Sequence, residues 1–248
     1  MIKEHYILGV KVHSLPEHIL KRTLITFLDS DSQHQIATVN PEFIVACQKN
    51  KKFLQIINNT SLATIDGAGI IKALQFLEKD ISLDDRITGV RLTEILIELA
   101  IKNNHKILFC LYSKGLTRAD DFFIKTKQKY PLLEFQVADE ANALEKGQIF
   151  SPDILLVGFG APRQDLWINE NLDRLPSVKI GAGVGGTFDF MAKSVKRAPK
   201  IVRSLGLEWF WRLILQPWRI KRIFRATVFF FFLVIKDNLK NKHVKSKN

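Results

Sequence analysis

One stretch constrains this chain more than any other: Ser151 to Asp165, S-P-D-I-L-L-V-G-F-G-A-P-R-Q-D. Ile154 to Val157 is a short unbroken apolar run, the pattern of a strand covered on both faces of a parallel sheet. The run stops at Gly158, Gly160 and Pro162, and the spacing then turns helical through Leu166, Trp167, Ile168 and Leu172. Glycines after a strand let the backbone approach a ligand closely, and the next helix N-terminus offers unpaired N–H groups to an anion. The stretch is not G-x-G-x-x-G, because Pro162 and Arg163 follow the second glycine, so a dinucleotide fingerprint is not met. Taken alone, an ordinary tight βα turn explains it equally well.

The rest of the chain repeats the unit. Tyr6 to His13 alternates like a strand, and Leu15 to Leu28 has helical spacing. Gln35 to Val39 is a short strand ending before Asn40-Pro41, where Asn40 suits an N-cap and Pro41 the first turn of a helix. Phe53 to Ile57 is helical, and Ser61 to Ile65 is a strand that breaks at Asp66-Gly67-Ala68-Gly69 before the helix Ile70 to Leu77. A loop over residues 81–88 holds Asp84, Asp85 and Arg86, and Gly89 to Asn103 is an amphipathic helix. Strands at Lys106 to Leu111, Leu133 to Val137 and Val178 to Gly181 follow, with helices to about Tyr130 and over Glu140 to Gln148. Alternation at this spacing predicts a Rossmann-like α/β body, a mostly parallel sheet with helices on both faces. Ligands in such sheets sit at the carboxyl ends of the strands. Thr38, Asn40, Asp66, Gly158 to Gln164 and Gly183 to Asp189 all fall at predicted strand ends, which points to one shared cleft.

Charge divides the chain. The net charge is +12, yet from residue 191 onward 15 Lys+Arg face only Glu208 and Asp237. The body is near neutral and the tail strongly basic, so the tail meets phosphates of some kind. No nucleic-acid motif accompanies it. Within the tail, Trp209, Phe210 and Trp211 adjoin Arg212, and Trp218 to Arg225 adds four more cations. Ala226 to Ile235 is apolar and includes Phe229 to Phe232. As a helix that run spans only ~15 Å, half of the ~30 Å hydrocarbon core. It suits an interfacial helix on an anionic membrane surface; packing on the body is the competing explanation. The expected division is a body over 1–195 and a basic, aromatic, helical appendage over 196–248.

Several classes of chemistry lack support. The six histidines are scattered with no pair at ligand spacing, so no metal site is expected. Asp29-Ser30-Asp31 has the D-x-D form but lies in a polar helix-to-strand loop, and no G-x-S-x-G elbow occurs. Cys47 and Cys110 lie in apolar surroundings and are expected to be reduced core residues of a cytoplasmic protein; no secretory signal opens the chain. Asp66 is the best candidate for a general base, an acid at a strand end before a glycine-permissive turn. Capping the next helix is its alternative role. Asp189 carries the same ambiguity. Thr38 and Asn40 suit a sugar or a cap, Arg86 a phosphate or solvent, and Gln164 a ligand amide or a helix's first turn.

Together these motifs resemble the WecG/TagA/CpsF family of bacterial glycosyltransferases from about Thr38 to Arg222. The resemblance is carried by T-V-N, I-D-G-A-G, R-I-T-G, V-G-F-G-A-P-R-Q, G-G-T-F-D, K-R-A-P and L-E-W-F-W-R followed by Q-P-W-R-I-K-R. It implies an inverting, metal-independent transfer of an N-acetylhexosamine, typically N-acetylmannosamine, from a UDP donor. The implied acceptor is a polyprenyl-pyrophosphate-linked N-acetylglucosamine at the cytoplasmic membrane face, in teichoic acid, common-antigen or capsule assembly. By the same resemblance Asp66 is the base, and Thr38, Asn40, Arg86, Gly158, Gly160, Gln164, Gly186 and Asp189 line the substrate cleft. Arg212, Arg219 and Arg222 close over it and neutralise pyrophosphate, and self-association through the body is allowed. The chain departs from the family at Tyr112-Ser113, where Gly-Gly is usual, and at Ala138-Asp139-Glu140-Ala141, where a glycine-aromatic stretch is usual. Asp165 stands for Glu, and Lys193 for a common glycine. Those departures motivate two rivals: a relative using another UDP-hexose, and a non-catalytic binding module.

Overall fold

A computed structural model describes residues 1–196, 198–199, 202, 208–215, 217 and 220–245; the side chains of 208, 209, 212, 221, 222 and 241–245 lie outside the description. An eight-stranded sheet runs through the body. Its strands are β1 (Lys3–Ile7), β2 (Val10–Ser14), β3 (His34–Val39), β4 (Leu62–Ile65), β5 (Ile107–Leu111), β6 (Phe135–Asp139), β7 (Ile154–Gly158) and β8 (Ile180–Gly183), in the order β1-β2-β4-β3-β8-β7-β5-β6. Every pairing is parallel except β1 with β2.

The expected single strand Tyr6 to His13 is instead this antiparallel hairpin. Leu8 and Gly9 both take positive φ, 51° and 77°, which makes the two-residue turn whose twist suits a hairpin. Two later strands sit two residues further on than their apolar runs suggest. In β8, pairing with β3 and β7 carries the ladder to Gly183 (Ala37↔Gly183, Val157↔Gly183). In β6, pairing with β5 carries it to Asp139. The helix expected from Glu140 starts at Ala143, because Asp139 and Asn142 first close a side-chain-bonded turn (Ala141 N to Asp139 Oδ1, 2.9 Å; Asp139 N to Asn142 Oδ1, 3.0 Å).

Helices cover both faces. Helices α1 (Glu17–Asp29), α5 (Gly89–Asn103), α6 (Ala119–Lys129) and α9 (Thr187–Met191) bury Leu24, Leu96, Phe122 and Phe188 with Ile36, Phe109 and Leu156 of the strands. On the other face α2 (Pro41–Cys47), α3 (Lys51–Asn59) and α4 (Ala68–Phe76) pack on Ala37, Val39 and Ile65. There too α7 (Ala143–Phe150) and α8 (Arg163–Asn171) pack on Leu108, Leu155 and Val157. Ile36 and Ala37, neighbours in sequence, belong to opposite cores, as the two-residue period of a strand requires.

The described tail is helical: α10 (Glu208–Leu215), α11 (Ile220–Phe224), a π-helical turn (Arg225–Phe229) and α12 (Phe230–Lys245). Phe230 and Val234 are buried against the α2 core, and Phe229 and Phe231 are partly buried beside them. So three of the four phenylalanines of the run pack on the body. The opposite face stays exposed: Ile220, Phe224, Val228, Phe232, Ile235 and Leu239, spaced three or four residues apart, form one apolar stripe. No described helix is long and apolar enough to cross a membrane.

Candidate active site

Parallel strands align their carboxyl ends, and here those ends enclose a cleft of about 420 Å³. It is bordered by the ends of β3 and β4 (Thr38, Asn40, Asp66), the start of α5 (Thr88, Val90), the loop after β5 (Tyr112 to Thr117) and the turns after β7 and β8. The predicted convergence is therefore real: of the residues singled out from sequence, Thr38, Asn40, Asp66, Gly158, Gly160, Gln164, Gly186 and Asp189 meet in it. Arg86 does not line it. Arg219 lies outside the described residues, and so do the side chains of Arg212 and Arg222.

Asp66 does not cap α4. That helix has Gly67 at its N-cap, at φ 142°, and no side-chain cap bond. The carboxylate turns across the cleft instead, and its Oδ2 accepts from the Gly89 N–H at 3.3 Å at the start of α5. A backbone donor at a helix N-terminus fixes the orientation of a half-exposed carboxylate. The polar residues on β3 do two jobs at once. Asn40 caps α2, its Oδ1 accepting from Glu42 N (2.9 Å) and Phe43 N (3.3 Å), and still borders the cleft. Thr38 Oγ1 donates to Gly183 O at 2.8 Å and ties β3 to β8.

The other wall is shaped by backbone. Gln164 is buried, and its Oε1 accepts from both Gly160 N (3.1 Å) and Gly185 N (3.0 Å), stapling the two glycine turns together. Gly160 and Gly185 have φ of 79° and 55°, a region that side chains disfavour. Gly158 serves packing: a Cβ there would lie 2.6 Å from the Phe188 ring. Asp189 accepts from Thr117 Oγ1 at 2.7 Å, which ties the loop after β5 to the start of α9; Ser194 Oγ stands 3.0 Å from the same hydroxyl.

Sequence reasoning missed four features of the site. Lys114, a cation, borders the cleft. Tyr112, which borders the cleft, joins Ser113, Glu140 and Arg163 where the family's glycine loops usually stand. The Arg163 guanidinium lies 4.6 Å over the Tyr112 ring and 3.0 Å from Glu140, which also accepts from Ser113 Oγ at 3.1 Å. Lys193, in a glycine's usual place, has φ 55°. Asp165 is fully buried behind Gln164, and neither carboxylate oxygen has a hydrogen-bond partner among the described residues. Burial pushes its carboxyl up to about 7. Cys47 and Cys110 are buried free thiols, as expected; burial pushes Cys47 up to about 12 and Cys110 up as well.

The chain is 29% identical to an N-acetylglucosaminyldiphosphoundecaprenol N-acetyl-beta-D-mannosaminyltransferase of Staphylococcus aureus strain MRSA252, covering 96% of this chain and 95% of that one. It is 28% identical, at the same coverage, to the proteins of that name from strains NCTC 8325 / PS 47 and COL. The model of the WecG/TagA/CpsF glycosyl transferase family matches residues 5–244, from the first hairpin to the last helix, and the chain belongs to that family.

Proposed function

We propose that this glycosyltransferase moves an N-acetylmannosamine-type sugar from a UDP donor to N-acetylglucosamine carried on a polyprenyl diphosphate, with inversion at the anomeric carbon. The observation that carries this reading is Asp66, an acid on the cleft wall that is released from capping α4 and oriented by the Gly89 N–H. In the reaction the acceptor hydroxyl gives its proton to the Asp66 carboxylate while its oxygen attacks the anomeric carbon. The bond from that carbon to UDP breaks, and its electron pair leaves with the diphosphate. Cations aimed at the departing diphosphate stabilise that charge without a metal. Lys114 is the one within the described cleft, and Arg212, Arg219 and Arg222 are the appendage candidates. Thr38 and Asn40 border the sugar, and Gln164 keeps the glycine turns in shape around it.

The same reading puts the protein at the inner face of the membrane as a peripheral enzyme of cell-surface polymer assembly. The exposed apolar stripe from Ile220 to Leu239, with Arg225, Lys236 and Lys240 on the same helices, supports it as an interfacial helix. A second reading, a different UDP-hexose donor, is favoured by the Tyr112–Arg163–Glu140 group filling the place of the family's glycines. UDP release from a panel of UDP-N-acetylhexosamines and UDP-hexoses, with and without the lipid-linked acceptor, separates the two. Acceptor-dependent release from UDP-N-acetylmannosamine is the expected result. Release only from another donor establishes the second reading, and a folded, UDP-binding protein silent across the panel is a binding module.

A further inference from the structure

A second concavity, of about 510 Å³, lies between the end of α2 and the C-terminal helices. Its walls are apolar: Val45 of α2, Ile220 and Phe224 of α11, and Phe229 of the π-helical turn. Lys49 and Arg225 stand in the same lining, both exposed, and no ion pair joins either to another described residue. Apolar walls beside two unpaired cations suit one kind of molecule, an amphiphile carrying phosphate on a hydrocarbon chain.

Helix α2 connects this groove to the cleft. Asn40, its cap, and Phe43 border the cleft, while Val45, further along, and Lys49, two residues past its end at Cys47, border the groove. Asp66 adjoins the start of the same helix, since a Cβ on the next residue, Gly67, would lie 3.3 Å from Pro41 Cδ. The seven residues of α2 rise ~10 Å between its Asn40 cap and the turn that holds Lys49, a length comparable to a sugar diphosphate. At its far side the groove shares Ile220 and Phe224 with the exposed apolar stripe.

We propose that the groove holds the isoprenoid end of the acceptor. Lys49 and Arg225 take its diphosphate, Val45, Phe224 and Phe229 cover its first isoprene units, and the rest of the chain runs along the stripe into the bilayer. This rests on the lipid-linked acceptor proposed above, and it gives the cleft a direction, with the acceptor entering from the α2 side.

The test is transfer kinetics in detergent solution with two N-acetylglucosamine diphosphates, one carrying a polyisoprenyl chain and one a methyl group. Wild-type protein should show a KM at least tenfold lower for the long chain. Phe224→Ser, at an exposed position that should leave the fold intact by circular dichroism, should erase most of that preference and leave the methyl acceptor unchanged. The double variant Lys49→Gln/Arg225→Gln should raise KM tenfold or more for both acceptors with little change in kcat. Unchanged KM for the long-chain acceptor in both variants overturns the assignment. So does a double variant that loses only its sedimentation with anionic phospholipid vesicles, which gives the cations to bulk lipid. Transfer without any chain-length preference sinks the groove alone, whereas no transfer to either acceptor takes the acceptor reading down with it.

Discussion

The two walls of the cleft are built differently. On the β3–β4 wall, polar side chains border the open space, and each is held by a backbone partner: Thr38 on Gly183 O, Asn40 on the α2 amides, Asp66 on the Gly89 N–H. On the β7–β8 wall the space is bordered by glycine backbone. Of the polar side chains there, Gln164 borders the cleft but is buried, Asp165 is buried behind it, and Asp189 is bonded to Thr117. The first wall is equipped for chemistry and the second for shape. Asp66 and Asp165 make the contrast measurable, because the first is half-exposed and bonded and the second is buried without a hydrogen-bond partner among the described residues.

The largest expected effect belongs to the buried one. The folded state holds the Asp165 proton up to about 7, against the 3.8 of a free side chain, so this group's contribution to stability is fullest below pH ~4 and falls as pH rises to about 7. The full shift corresponds to at most roughly 4 kcal/mol. Asp165→Asn should therefore melt higher than wild type at pH 8 and equal to it near pH 4. A pH-independent difference in urea midpoints would mean that Asp165 is not titrating behind that wall.

Next in size is Asp66→Asn, which keeps the shape and the Gly89 partner but removes the base. Turnover should fall by 10²-fold or more with UDP binding unchanged. Near-normal turnover would strip the first wall of its chemistry. Gln164→Leu leaves two glycine N–H groups without an acceptor and should cost about 1–3 kcal/mol in chemical denaturation. It should also raise the donor KM, since the turns it staples border the cleft. A loss of kcat alone would move Gln164 to the chemical wall. Lys193→Gly is the smallest: relieving φ 55° should stabilise by ~1 kcal/mol or less without changing kinetics.

How much of this was legible depends on how local each signal is. Gly89 to Asn103 reads as a helix because its apolar period, its Thr88 cap and its left-handed end at Asn104 are all local, and the structure has that helix with those bounds. The Asn40–Pro41 start of α2 was legible for the same reason. The β1–β2 hairpin was not, because Leu8 is an unusual residue at positive φ and the alternation runs on through it. β6 and β8 were displaced because their ends are set by ladder partners, which apolar runs do not record. Asp66 was found as a strand-end acid, yet its choice between cap and cleft was undecidable from its neighbours.

By itself the sequence determined the βα alternation, the strand ends where a ligand belongs, the basic tail and the family motifs. Each follows from residue periodicity, turn chemistry or motif content within short windows. The tertiary structure decided which strand ends became neighbours. That choice brought Gly89 to Asp66 and Gly185 to Gln164, buried Asp165, and laid Phe230 and Val234 against α2 while leaving the stripe from Ile220 to Leu239 outside. Crossover connections in a parallel sheet place distant segments side by side, so partners across the cleft are fixed by packing and not by spacing along the chain.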